Sequence, residues 1–578
     1  MKRTIFATGF LCGLALTAFG AGSADQKFEK AAKDYIDGYL ADHPERATKL
    51  GDHRFDDQLT DYSTPAQQKE LARAKRCAAA LKEFGNGSKL SSGNRVDLGI
   101  LVEKVNQEIF ELSELKEADW NPMLYSQSFG DSLYPLVTRD FDTPEKRIAT
   151  LSKRMEAIPR VIEQAKKNLQ HPPRTHTAAA IDQVRDSVTL IRLGLDPLLN
   201  QAPTQKQEVA TLQNATSKAM EDYMKWLGGD LLHRSDGNFR LGQDKFRKKL
   251  RFTVGSGLSM EEILKLAKED LKKTQELMYE TAGAFYQDHS PQATSEELAD
   301  RRKVIKTVLD KLAQQHPEPA SIVSELQKAI GEATDFMRHH NLVTVPDSPA
   351  EAIIMPEFQR DAGLAFYCDV PGALDQPGKT IVAIAPPPAI WPAPRQASFY
   401  REYNNYMLRD LAAREMSIAC LVQPTRGNAQ QTTTPVRAIF PSDTSTQGWA
   451  AYSEQMMADA GFGGPEVKMQ QLKMRLRYDC DAILDQSIQA GQMNVQEAMN
   501  LMKFEGFQEE GQMVESWKRA RLTSARLSIP FVGMIEQLQL LEKAKTKGGA
   551  SIDVKKYNDQ VVSYGSLPVK DVRTLMGL

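Results

Sequence analysis

The sequence predicts a mainly α fold: a large helical body with a small β-sheet or hairpin inserted around 343–385. Apolar residues recur at the helical period of about 3.6 from roughly residue 25 to 340, and again from roughly 398 to 545. Between those stretches the texture changes to short β-rich runs (VTV, AIIMP, LAFYCDV, TIVAIA) separated by Pro and Gly. No repeat of fixed period points to a solenoid.

The stretch SMEEILKLAKEDLKKTQELMYETAGAFY illustrates the first half, with Ile263, Leu264, Ala267, Leu271 and Leu277 read as one apolar stripe. Helix breaks fall where turn residues are dense: SSGN at 91–94, HPPRTH at 171–176, GGD at 228–230 and HPEPA at 316–320. The APPPAIWPAP segment (385–394) must be an extended loop, because successive prolines fix φ and remove donors. It is expected to cross the surface near the helix carrying Glu415. The last thirty or so residues read as a short helix and a turn. The chain therefore divides into 25–340 (helical), 341–400 (β-rich and proline-rich) and 401–578 (helical), with 25–578 read as one continuous domain.

The first residues, MKRTIFATGFLCGLALTAFGAGSAD, combine Lys2 and Arg3, an apolar run from Ile5 to Phe19 and a small-residue exit. This is the pattern of a cleavable signal peptide (1–24), and it implies a periplasmic or secreted product. The run is broken by Gly9 and Gly13 and is too short for a membrane anchor, and no later segment approaches a span. Gly-Phe-Leu before Cys12 is a poor lipid-attachment context. Cys77, Cys368, Cys420 and Cys480 remain after cleavage; they could pair in three ways or stay as buried thiols.

With 73 basic and 75 acidic side chains, a net charge of −2 and a pI of about 6.6, the chain has no electrostatic footprint for nucleic acid. It has no nucleophile elbow, phosphate loop or dinucleotide fingerprint. The Ser-x-x-Lys at Ser113 to Lys116 lies in charge-rich helical sequence and reads as a solvated face. All nine histidines lie in the first 340 residues and none is followed by Glu, so a His-Glu-x-x-His zinc motif is absent. The adjacent His339 and His340 end a helix, where a cationic or donor side chain suits the dipole.

Several blocks in the C-terminal half carry a family resemblance: REYNNYMLRDLAAREMSIACLVQ (401–423), QGWAAYSEQMMADAGFG (447–463), QQLKMRLRYDCDAILDQSIQAG (470–491), MKFEGFQEEGQ (502–512), KRARLTSARLSIPFVG (518–533) and YNDQVVSYGSLP (557–568). With AFYCDVPGALDQPG (365–378), they resemble a bacterial domain-of-unknown-function 885 family, over nearly the whole mature length. That resemblance implies an all-α, gluzincin-type zinc-peptidase fold. It also implies a His-Glu-Ala-x-Pro-Gly-His helix supplying two zinc ligands and a general base, and a third ligand from a Glu-Gly-Trp-Ala segment.

Laid on that pattern, the two histidine positions are Arg414 and Cys420, the general-base position keeps Glu415, and the acidic ligand position is Gln447. Glu454 and Trp449 remain, Trp449 reading as core. The family's Asp-x-x-x-His segment runs here from Asp485 to Gln489, Pro530 replaces a usual Tyr, and Asn558 stands at a His position. By resemblance, Arg521 contacts a substrate carboxylate in active relatives; in this chain it is expected to pair with an acid such as Glu454 or Glu509.

These changes remove the metal chemistry that the resemblance would bring. A catalytic zinc takes three N, O or S ligands and keeps one open position. Arg414 has no lone pair to offer and carries a fixed positive charge. Without a metal that lowers the pKa of bound water from about 15.7 to about 7, Glu415 lacks a water it can deprotonate. No cofactor is therefore expected, and these departures from the family pattern point to a non-catalytic homologue whose groove binds peptide or protein or persists as a scaffold. The alternative is a hydrolase using a set drawn from Glu415, Cys420 and Glu454, or a Cys420 nucleophile. Arg414 is expected to compensate the carboxylates that a metal would otherwise balance, with Glu454 favoured over its sequence neighbour Glu415 because adjacent helix positions face apart. Tyr403, Asn404, Asn405 and Tyr406 read as capping and internal hydrogen bonding.

Overall fold

The computed structural model describes residues 23–289, 294–347, 349–360, 365–375, 378–422, 434–549 and 552–578. Residues 1–22 of the segment read as a signal peptide (1–24) lie outside them. The described chain is mainly helical from Ser23–Asp42 to Val569–Leu575, with one small sheet. Among the described residues no helix is long and apolar enough to cross a membrane.

Local sequence sets the helix starts. The hydroxyls of Ser63 and Ser91 accept from the third following amide, opening Thr64–Lys82 and Ser92–Phe110. Asn404 Oδ1 accepts from the amides of Tyr406 and Met407, both at 3.1 Å, and opens Asn405–Val422. The Met260–His289 helix buries Ile263, Ala267, Leu271 and Met278. Leu277 is instead 36% exposed. Six residues after Leu271 the helix has turned about 240° away, so the apolar stripe passes to Met278.

The sheet has order β1-β3-β2, where β1 is Ala350–Ile354, β2 is Phe366–Asp369 and β3 is Thr380–Ile384. β1 pairs with β3 in parallel (Ala352 opposite Val382), and β2 pairs with β3 antiparallel (Cys368 opposite Val382). The VTV run at 343–345 forms no strand. Val343 is buried against the helical core, and the Thr344 amide donates to Asp559 Oδ1 at 2.7 Å, a side chain rather than a ladder partner. The C-terminal segment folds into two short helices, Val554–Ser563 and Val569–Leu575, rather than one helix and a turn.

The proline loop packs on the Glu510–Leu522 helix. Its Trp391 sits against Gly511, where a Cβ would come within 2.9 Å of the indole. Arg395, just beyond the loop, pairs with Glu510 at 2.8 Å. From the sheet insertion, β2 reaches the Glu415 helix: its Cys368 Sγ lies 3.8 Å from the Glu415 carbonyl oxygen.

One large core cluster draws side chains from both ends of the chain, from Phe28 and Tyr35 to Val561 and Val572. A second gathers residues of the 118–231 helices with Leu59 and Leu522. Near the C-terminal half's centre, the Gly464–Gln489 helix is buried almost all round although its sequence is rich in charge. Buried charges are tolerated when paired, and several here are: Arg475 with Asp270 (2.6 Å), Lys473 with Glu402 (2.7 Å), Arg477 with Glu402, and Arg519 with Asp481. The helices Asp443–Asp459 and Ile529–Gly548 cross where Gly448 meets Gly533, and a Cβ on either glycine would fall within about 2.3 Å of the opposing backbone.

Candidate functional site

A cavity of about 1270 Å³ opens between the N-terminal helices, β2 and the C-terminal helices. Arg414, Glu415, Gln447, Arg521 and Pro530 line it, together with Cys368, Tyr403 and Tyr478. Cys420, Glu454, Gln489 and Asn558 are buried outside its lining.

Arg414 is the centre of the cluster. Its Nη1 donates to Glu415 Oε1 at 2.6 Å, its Nε to Tyr478 Oη at 3.0 Å, and its Nη2 to Gln447 Oε1. Glu454 Oε1 lies 3.3 Å from Nε and also accepts from Tyr478 Oη at 2.7 Å. Three helices, Asn405–Val422, Asp443–Asp459 and Gly464–Gln489, thus converge on one guanidinium. Pairing with Glu454 matches expectation; the bond to Glu415 does not. The long arginine side chain brings its planar fork back to the neighbouring carboxylate although the two Cβ atoms diverge.

Asp410, one helical turn before Arg414, adds a third buried carboxyl. Against Asp410, Glu415 and Glu454 stands Arg414, with Lys468 and Arg477 also acting on Asp410. Burial pushes the Asp410 carboxyl up to about 8, with Arg414 only partly offsetting it. Burial also lifts Glu454 well above the carboxylate range, helped by the nearby Asp410. Among the described residues, Asp410 Oδ2 and Glu454 Oε2 have no hydrogen-bond partner, which fits protonated or shared carboxyls rather than a pair of full anions. Burial disfavours the charged form of Arg414, but Tyr478, Glu415 and Glu454 outweigh it and hold the guanidinium charged.

Cys420 faces the other way. It is fully buried in the apolar core, and burial raises its thiol to about 12. Arg414 and Cys420 therefore lie on different faces of their helix, as six residues of regular helix dictate. Glu415, Cys420 and Glu454 do not gather their ligand atoms at one point: among the described residues the trio that does is His43, Glu70 and Glu108. Sequence reading missed that trio, since 27 and 38 residues separate its members and no motif joins them. The four mature cysteines are free thiols, Cys77 and Cys368 half-buried, Cys420 and Cys480 buried.

The remaining positions have structural partners. Gln489 Nε2 donates to the Ala520 carbonyl at 2.9 Å, and its Oε1 accepts from the Leu241 amide at 3.2 Å, tying three segments together. Asp485 accepts from the amides of Ala525 and Ser528. Asn558 accepts from Tyr452 Oη at 3.1 Å and donates to the Leu342 carbonyl at 2.8 Å. Trp449 is wholly buried, with Nε1 donating to the Ser417 carbonyl at 3.0 Å. His339 and His340 contact the carbonyls of Asp335 and Phe336 through Nδ1, at the end of their helix.

Arg521 pairs with neither acid expected of it. Glu454 is taken by Arg414, and Glu509 by Arg401 at 3.1 Å. The Arg521 guanidinium instead lies over the Trp517 ring, 5.3 Å from its centroid, and faces the cavity. Burial alone lowers its pKa. A cation so placed, with an aromatic plane beneath it, can receive an anionic group from a ligand.

The fold has close counterparts. A candidate lipoprotein of unknown function from Shewanella oneidensis superposes with a TM-score of 0.76 at 26% identity, covering 95% of this chain and all of that one. A candidate lipoprotein from Colwellia psychrerythraea gives a TM-score of 0.75 at 16% identity, over 96% of this chain and 99% of its own. No curated protein matches the chain. The family model described as a bacterial protein of unknown function (DUF885) matches residues 44–576, and the chain belongs to that family.

Proposed function

We propose that the protein is an exported, non-catalytic member of its family that binds peptide in the cavity beside Arg414. The observation that carries this reading is the set of bonds on Arg414. In the family resemblance its position is a zinc ligand, and here a guanidinium holds Glu415, Gln447, Glu454 and Tyr478. A carboxylate engaged this way is a poor general base, because a proton taken up there would break a charge-assisted bond. The lining supports a peptide ligand: it offers apolar surface (Phe366, Met474), carboxylates (Glu103, Asp571) and the Arg521 guanidinium stacked on Trp517. Export rests on the amino-terminal pattern and on the lipoprotein class of the structural counterparts. The hydrolase alternative has little support in geometry, since Cys420 is sealed in the core with a raised pKa.

The test uses a mixture of unmodified pentapeptides, incubated with the mature protein, separated from it by size and identified by mass spectrometry before and after release. The expected result is retained peptides recovered uncleaved, with retention reduced by Arg521→Gln. Cleaved products that disappear with Glu415→Gln, or no retention of any peptide, would overturn the reading.

A further inference from the structure

We infer that His43, Glu70 and Glu108 form a divalent-cation site of zinc type on the cavity wall built by the N-terminal helices. The inference does not depend on peptide binding, and it concerns helices other than those carrying Arg414, Cys420 and Gln447. The three ligand atoms lie within 4.8 Å of one another, and all three residues line the cavity.

Each comes from a different element. His43 sits at the junction between Ser23–Asp42 and Pro44–Leu50, Glu70 on Thr64–Lys82, and Glu108 on Ser92–Phe110. Pro44, in the first turn of its helix, fixes the backbone direction just after His43. His43 Nε2 is 3.0 Å from Glu70 Oε1. Ligand oxygens of Glu70 and Glu108 lie within 4.8 Å of each other. In the metal-free chain a protonated His43 and Arg73 balance these two carboxylates, and a cation would replace the imidazolium proton.

The surrounding shell orients the trio as supporting residues orient metal ligands. Arg73 Nη2 donates to Glu108 Oε1 at 2.6 Å, and Tyr35 Oη donates to Oε2. Each carboxylate oxygen carries a second lone pair, so Glu108 can keep both donors and still ligate. Arg73 is also bound by Asp42, with Nε at 2.9 Å from Oδ2, which compensates its charge outside the trio. The His43 ring packs edge-on against Tyr39, with centroids 4.6 Å apart. One imidazole and two carboxylates are a three-ligand zinc set that leaves a fourth position for water or a ligand atom from the cavity.

The experiment takes the mature chain stripped of metal with a chelator, titrates it with zinc chloride by calorimetry, and measures retained zinc after desalting. One zinc per chain is expected for the wild type and for Glu415→Gln. In His43→Ala and in the isosteric Glu70→Gln, affinity should fall by about 100-fold or more, since loss of even a supporting residue costs about 10- to 100-fold. Added zinc should raise the melting temperature of the wild type and not of Glu70→Gln, whose cooperative melt also shows that it folds. Absence of stoichiometric zinc in the wild type, or zinc binding equal in wild type and both variants, would overturn the assignment.

Discussion

Gly448 and Gly533 meet backbone to backbone: a Cβ on Gly448 would lie 2.3 Å from the Gly533 carbonyl carbon, and one on Gly533 would lie 2.0 Å from the Thr444 carbonyl oxygen. This crossing seats the Asp443–Asp459 helix, and so places Gln447 and Glu454 against Arg414. Alanine at either glycine forces two helices apart, and overpacking of this kind costs about 1–3 kcal/mol. Gly533→Ala is therefore expected to lower stability by about that much in urea unfolding. An unchanged midpoint would mean that the crossing is not tight.

His53 ties the 44–56 segment to the sheet insertion. Its Nδ1 is 2.8 Å from Asp56 and its Nε2 3.1 Å from Asp375, while its ring stacks on Phe141 at 4.0 Å. Burial opposes its charge, but Asp375 and Asp56 outweigh burial and raise its pKa to about 9. A raised pKa contributes stability that is fully present below the unfolded value of about 6.5 and is lost as pH rises through about 9. Wild-type stability should fall across that window by something on the order of 1 kcal/mol, allowing for screening of a partly exposed group. His53→Gln should flatten that part of the profile. A variant profile parallel to the wild type between pH 6.5 and 9 would count against the link.

The buried thiols should be chemically quiet. Burial raises Cys77 and Cys420 to about 12, and lifts Cys368 and Cys480 well above the ordinary thiol value. At pH 8 the thiolate fraction is then small, and iodoacetamide should leave Cys420 unmodified in the native chain and alkylate it promptly in urea. Rapid native-state labelling of Cys420 would revive a nucleophilic role for it.

The helical class was legible from the 3.6-residue spacing, and the short sheet from the β-rich runs between 350 and 384, because burial of one face imposes a period on sequence. Val343 misled: a β-branched pair around Thr344 looks like a strand, yet helix packing and the Asp559 carboxylate claim that segment. The Gly464–Gln489 helix also hid its burial, since an element sealed on all sides by ion pairs shows no apolar stripe. Within the site, Asp410 was missed, although its place four residues before Arg414 puts both on one helix face. Tyr478 was not, because only the tertiary approach of its helix brings its hydroxyl between Arg414 and Glu454. The same holds for His43, Glu70 and Glu108, which come from three separate elements.

The most direct measurement is urea unfolding of Arg414→Ala beside Glu454→Gln and the double variant. Arg414 donates to Glu415, Gln447 and Tyr478 and pairs with Glu454, so its removal strands buried carboxyl groups. Loss of one partner of such a cluster costs about 3–5 kcal/mol. Arg414→Ala is predicted to lose about 3 kcal/mol, and Glu454→Gln in the same chain to restore part of it, because the amide removes one stranded carboxyl. Unfolding curves for Arg414→Ala that overlay the wild type would contradict the claim that this guanidinium holds the site together.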